Sequence, residues 1–100
     1  MQFVITAHDG HNMLEKRMAI RQRHLDNMAR MMEQGHVICA GGILDEDGKL
    51  AGSALVMDFA DRKQLDDYLE SEPYVKEKVW DEIKIERMNV VILNNEKVGK

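Results

Sequence analysis

The chain has little of several features that would narrow its class. It carries one cysteine, Cys39, which excludes an intramolecular disulfide and fits a reducing compartment, so a cytoplasmic setting is expected. No apolar run approaches the roughly 20 residues that a membrane-spanning helix needs, so no membrane partner is expected. The opening "MQFVITAHDG" has no basic segment ahead of a long apolar stretch, and a secretory leader is not expected. Positive charge is not in surplus: the formal net charge is −4, and basic residues are mixed with acidic ones. Binding nucleic acid needs a basic face, which argues against such a partner.

What is present describes one globular domain. A length of 100 residues suits a single modest core, and 44% hydrophobic with 32% charged residues separates the chain from disordered sequences. We read residues 1–100 as one domain, with about 94–100 as a flexible tail.

"QFVITA" (2–7) is rich in β-branched residues and reads as a strand, broken by the polar "HDGHN". Asn12 is placed to cap a following helix, with Glu15 three positions later in a capping-box pattern. From Met13 to Gln34 there is no Pro or Gly, and Leu14, Met18, Leu25, Met28 and Met32 recur at helical spacing. Gly35 stands where a left-handed residue ends a helix. "HVICAGGIL" (36–44) and "GSALVMDF" (52–59) read as strands joined by a turn at Asp47-Gly48, and so short a loop makes them antiparallel. "DRKQLDDYLES" (61–71) predicts a helix capped by Asp61 and stopped before Pro73, with one further turn in 74–80. "EIKIERMNVVIL" (82–93) predicts a long final strand.

The order β-α-β-β-α-β is the ferredoxin-like arrangement: an α+β fold with two helices on one face of a four-stranded antiparallel sheet. Segments such as "ICAGGIL" and "NVVIL" are apolar on both sides, which does not suit a sheet with one wetted face. A second copy supplies the cover, giving a homodimer with the two sheets packed face to face.

The helix over 13–34 carries Arg17, Arg21 and His24 at steps of four and three. At about 100° per residue, Leu14, Leu25 and Met32 point to one centre, with Arg21 within roughly 20° of it, Arg17 about 60° away and His24 about 80° away. On one reading, the arginine stems cover apolar surface while their heads reach water, and His24 is a satisfied boundary histidine. On the other, the three groups edge a ligand pocket.

"FVITAHDG", "LEKRMAIRQRHLDNM", "AGGILDEDGKLAGSALVMDF" and "SEPYVKEKVWDEIKIERM", taken together, resemble the YCII-related (YciI-like) family. The features that carry the resemblance are Arg17, Arg21 and His24, then Gly41-Gly42, Gly52-Ser53 and an acidic residue before Pro73. It implies a small ferredoxin-like protein, dimeric in the manner of α+β barrels, with a pocket around a histidine–carboxylate pair. The family's histidine falls on His24. Its carboxylate, from an Asp-Pro motif, falls on Glu72, which is one methylene longer. One family member is a dehydrochlorinase of a chlorinated hydroquinone, so the scaffold hosts lyase-type proton chemistry.

The implied roles have a physical logic. Nearby guanidinium groups favour the neutral imidazole and a carboxylate favours the imidazolium, so a histidine between them can act as base or acid. Arg17 and Arg21 are candidates to hold an anionic or phenolate-like substrate. Gly41, Gly42 and Ser53 are candidate pocket residues, with helix-on-sheet packing as the competing explanation of the glycines. Asp58 is a rival carboxylate for His24.

His8, Asp9 and His11 lack a defined zinc spacing and read better as a solvated loop or pocket mouth. Met28, Met31 and Met32 read as adaptable packing and Cys39 as a small buried hydrophobe. No metal or cofactor is expected. The functional expectation is a small cofactor-independent enzyme, a lyase, isomerase or hydrolase, moving a proton on a small anionic or aromatic metabolite. The alternative is a non-catalytic ligand-binding or dimeric assembly module.

Overall fold

A computed structural model describes the chain from Met1 to Lys100. Its elements run β1 (Gln2–Asp9), α1 (Leu14–Glu33), β2 (Val37–Leu44), β3 (Leu50–Asp58), α2 (Arg62–Ser71), α3 (Pro73–Lys76) and β4 (Trp80–Met88), followed by β5 (Ile92–Leu93) and β6 (Glu96–Lys97). The first four strands form one antiparallel sheet in the order β2-β3-β1-β4. This is the expected ferredoxin-like α+β fold. No helix is long and apolar enough to cross a membrane.

Strand alternation decides which side chains enter the core. On β1, Phe3, Ile5 and Ala7 are buried beneath the helices, and Leu55 and Met57 join them from β3. Helices α2 and α3 add Leu65, Tyr68 and Tyr74. The opposite parity, with Val4, Thr6, Ala54 and Val56, forms the uncovered face of the sheet.

Local chemistry sets the element ends. At the end of α1, the Gly35 N–H donates to the Met32 carbonyl and the His36 N–H to that of Met31, with Gly35 at φ +78°. That pairing is a Schellman motif, which glycine accommodates without a Cβ penalty. The Asp61 carboxylate accepts from the Gln64 N–H at 2.9 Å and starts α2. Glu72 ends α2 and caps α3, and Pro73 occupies the first position of α3, where its missing N–H costs nothing.

Three expectations are corrected. Asn12 does not cap α1; it takes a left-handed conformation at φ +56°, and the flanking Met13 makes no side-chain cap bond. The final strand stops at Met88 because its partner runs out: Met88 already pairs with Gln2, the first residue of β1. The next buried N–H, of Val90, bonds the Gln2 side chain instead. Beyond it, Asn94 and Asn95 both take positive φ and turn the chain into the β5–β6 hairpin. Cys39 is exposed rather than buried, since its place in the β2 register opposite Val56 puts it on the uncovered face.

Candidate active site

Helix α1 turns a polar line to the core. Its buried residues are Arg17, Ile20, His24, Asn27 and Met28, whereas Leu14, Met18, Leu25 and Met32 are 37–64% exposed. The buried face is therefore centred on the Arg17–His24 line, and the apolar stripe lies on its flank. A buried polar side chain is tolerated only with partners, and each of these has them.

The Nδ1 of His24 lies 2.6 Å from Oε1 of Glu72. Glu72 is fully buried. Its Oε2 accepts from the Tyr68 hydroxyl at 2.6 Å, and its Oε1 also accepts from the Tyr74 N–H at 3.2 Å. Two donors already point at the carboxyl group, so it acts as the acceptor for His24 as well. The Nδ1 then carries the hydrogen, and Nε2 presents a lone pair. Nε2 has no protein partner and is not among the sealed polar atoms. The ring is fixed further by stacking on Tyr74, with centroids 4.3 Å apart at 19°, and by the edge of Trp80 at 6.3 Å.

A second buried pair stands beside the first. Nη1 of Arg17 donates to both carboxylate oxygens of Asp9 at 2.8 and 2.9 Å, and Nη2 donates to Oγ of Ser53 at 2.8 Å. The indole N–H of Trp80 reaches the same Oγ at 3.3 Å. The Arg17 guanidinium also lies 4.6 Å from the Tyr74 ring centroid, within cation–π range. These bonds tie α1 to β1, β3 and the start of β4.

Between α1 and strands β2 and β3 lies a cavity of about 440 Å³, of a size that accepts a small metabolite. His24, Arg17, Arg21, Ser53 and Tyr74 contribute its polar lining, and Leu25, Met28, Val37 and Leu55 are among its apolar walls. Burial raises the phenols of Tyr68 and Tyr74 above the ordinary tyrosine range. For Tyr68 the negative charge of Glu72 adds to this; for Tyr74 the positive charges of Arg17 and Arg21 oppose it. Both hydroxyls therefore remain donors.

Among the expected site residues, the structure brings His24 and Glu72 into one hydrogen bond, with Arg17, Arg21, Gly41 and Ser53 in the same cavity lining. The terminal nitrogens of Arg17 already donate to Asp9 and Ser53. Arg21 is exposed rather than central to the buried face, and it makes none of the chain's ion pairs. Gly42 does not line the cavity; a Cβ there would meet the Leu50 side chain. Gly52 answers to packing in the same way, since a Cβ would strike the Ala7 carbonyl. Asp58 is not the partner of His24: its carboxylate holds the Met1 amine at 3.0 Å, and Glu72 occupies Nδ1. His8 and His11 are exposed, and no three His, Cys, Asp or Glu side chains gather as metal ligands.

Sequence reasoning passed over Tyr68, Tyr74 and Trp80, and it read Asp9 as part of a solvated loop or pocket mouth, whereas its carboxylate is buried against Arg17. Signals existed for two of them. Asp9 continues the odd-numbered core parity of Phe3, Ile5 and Ala7, and Tyr68 lies one helical turn before Glu72.

Comparisons with known proteins agree with this architecture. Residues 1–89 match the YCII-related domain. The aspercryptin biosynthesis cluster protein B of Emericella nidulans is 29% identical over 80% of this chain, which spans 56% of that protein's length. An uncharacterized protein of Haemophilus influenzae is 32% identical, with 83% of this chain and 91% of the relative covered. Among solved structures, 5-chloro-2-hydroxyhydroquinone dehydrochlorinase (TftG) from Burkholderia phenoliruptrix AC1100, in complex with 2,5-dihydroxybenzoquinone, superposes with a TM-score of 0.79. It is 22% identical, with 88% of this chain and 93% of that one covered. The match over nearly the whole sheet and both long helices leads to one assignment: the chain belongs to the YCII-related family.

Proposed function

We propose that the protein is a small enzyme that moves a proton with the His24–Glu72 pair, acting on a small aromatic or anionic metabolite without a cofactor. One observation carries this reading: an imidazole anchored at Nδ1 by a sealed carboxylate, with Nε2 left available at a cavity. In that arrangement Nε2 takes a proton from the ligand, the imidazolium is stabilised by Glu72, and the proton returns to the leaving group or to another carbon. Elimination and isomerisation both fit. The names of two relatives, a dehydrochlorinase and a biosynthesis-cluster protein, favour small-molecule chemistry.

The test is turnover against a panel of phenols, hydroquinones and small aromatic acids. Both His24→Ala and Glu72→Gln are expected to lower kcat/KM by about 10²–10⁴-fold, the usual range for a positioned acid–base group. Mutants as active as the parent on every compound turned over would remove the proposal.

A second reading, a ligand-binding or assembly module, draws on the same bonds, because Glu72 also caps α3 and joins it to α1. It predicts that His24→Ala lowers stability while the parent protein turns nothing over. In either case we propose a homodimer through the uncovered sheet face, where Val4, Ile43, Ala54 and Val56 present apolar surface.

A further inference from the structure

Two side-chain atoms in the protein are polar, sealed and without a partner: Oη of Tyr74 and Nε of Arg17. Both residues line the cavity, and they touch each other through the Arg17–Tyr74 ring contact. Buried donors are normally paired, so two orphans at one place need a reason. Neither is explained by the fold: the Tyr74 ring packs on His24 whether or not it bears a hydroxyl. Orphaned groups that weaken the free protein are characteristic of sites built for something else to complete.

Charge counting narrows what completes it. Arg17 is matched by Asp9, and a protonated His24 is matched by Glu72. Arg21 alone lines the cavity with an unmatched charge. The site therefore takes one negative charge when His24 holds the proton. Equally, it takes the neutral acid when His24 is free, because the two complexes differ only in where one proton lies. The remaining walls are apolar, with Leu25, Met28, Val37 and Leu55 suiting a ring or short hydrocarbon body.

We propose that Tyr74 is the oxyanion-binding, specificity-determining residue of this cavity, its Oη donating to the oxygen of a phenolate- or enolate-type monoanion whose charge is matched by Arg21. This rests on the reading of the cavity as a substrate site, but not on turnover. In the binding step the ligand O–H bond breaks, its proton passes to Nε2 of His24, and the oxygen keeps the electron pair. Burial holds the Tyr74 phenol in its protonated, donating form. Met28 and Met32 are also in the lining, and methionine side chains adapt readily to a neighbouring group.

The experiment uses the full chain with para-nitrophenol as probe, whose phenolate absorbs in the visible, and para-nitroanisole as the methyl ether that cannot ionise. Tyr74→Phe keeps the ring and removes only the hydroxyl. The expected result has three parts. The variant melts at the same temperature as the parent or higher, its affinity for the phenolate falls at least about tenfold, and the bound phenol ionises at higher pH. Arg21→Gln weakens the phenolate in the same way, and neither substitution alters binding of the anisole. Equal phenolate affinity and ionisation in parent and Tyr74→Phe would overturn the inference, as would no phenolate binding by the parent or marked destabilisation of the variant. The outcomes separate from those for catalysis. Tyr74-dependent binding without turnover of any compound would sink the enzyme reading alone, whereas turnover lost in His24→Ala but untouched in Tyr74→Phe would sink this one alone.

Discussion

Glu72 accepts from an imidazole, a phenol and a backbone amide at once. A carboxylate enclosed to this degree is stable only while its donors stay. Removing the Tyr68 hydroxyl as Tyr68→Phe is expected to cost about 1.5–3 kcal/mol, the range for a buried hydrogen bond to a charged group, read from urea unfolding. The same bond has a signature at high pH. Burial first, then the charge and hydrogen bond of Glu72, raise the Tyr68 phenol above its ordinary 10.0, and burial raises Tyr74 as well. Above the unfolded pKa the native state thus holds protons that the unfolded chain releases. The stabilisation is intact below about pH 10 and is lost as the pH rises further. The chain has two tyrosines, and both are these. Tyrosinate absorbance is therefore expected to stay absent at a pH that half-ionises free tyrosine, and to appear together with unfolding. A signal that follows free tyrosine while the fold is intact would contradict the buried geometry.

The elements themselves were largely legible in the sequence. Alternation marked the strands, Gly35 and Pro73 marked helix ends, and the loop lengths fixed the antiparallel order. Less legible was the orientation of α1. Periodicity weighs apolar residues, and on this helix they are half exposed, whereas the inward line holds Arg17, His24 and Asn27. Those three are buried because Asp9, Ser53, Glu72 and Ser71 come to meet them from other elements. A partner that arrives across 36 or 48 residues of chain leaves no trace in local hydrophobicity. The end of β4 was missed for a related reason, since a strand stops where its neighbour stops, and "NVVIL" does not encode the length of β1. The family resemblance located His24 and Glu72, but it said nothing of the Tyr68 and Tyr74 donors that hold the acid.

At the scale of the whole molecule, the helices cover one face of the sheet and leave the other open. That face is mostly apolar over β2 and β3, with Val4 added from β1, and becomes charged at the β4 edge, through Glu82, Lys84 and Glu86. Two copies related by a two-fold axis would bury the apolar part and leave the charged edge wet. Val56→Asp places a charge in the centre of this face, away from the cavity side. It is expected to convert a dimer to a monomer in sedimentation equilibrium while the variant remains folded. A parent chain that sediments as a monomer at all concentrations would refute the paired-sheet arrangement.

His24 is anchored at Nδ1 and open at Nε2. Nitrogen-15 NMR of the imidazole, recorded across pH in the parent and in Glu72→Gln, tests this most directly. The expected spectrum shows an Nδ1 proton retained in both ring charge states, strongly downfield and shifted by Glu72→Gln, with the titrating proton confined to Nε2. A neutral ring carrying its proton on Nε2, or a spectrum indifferent to loss of the Glu72 charge, would contradict it.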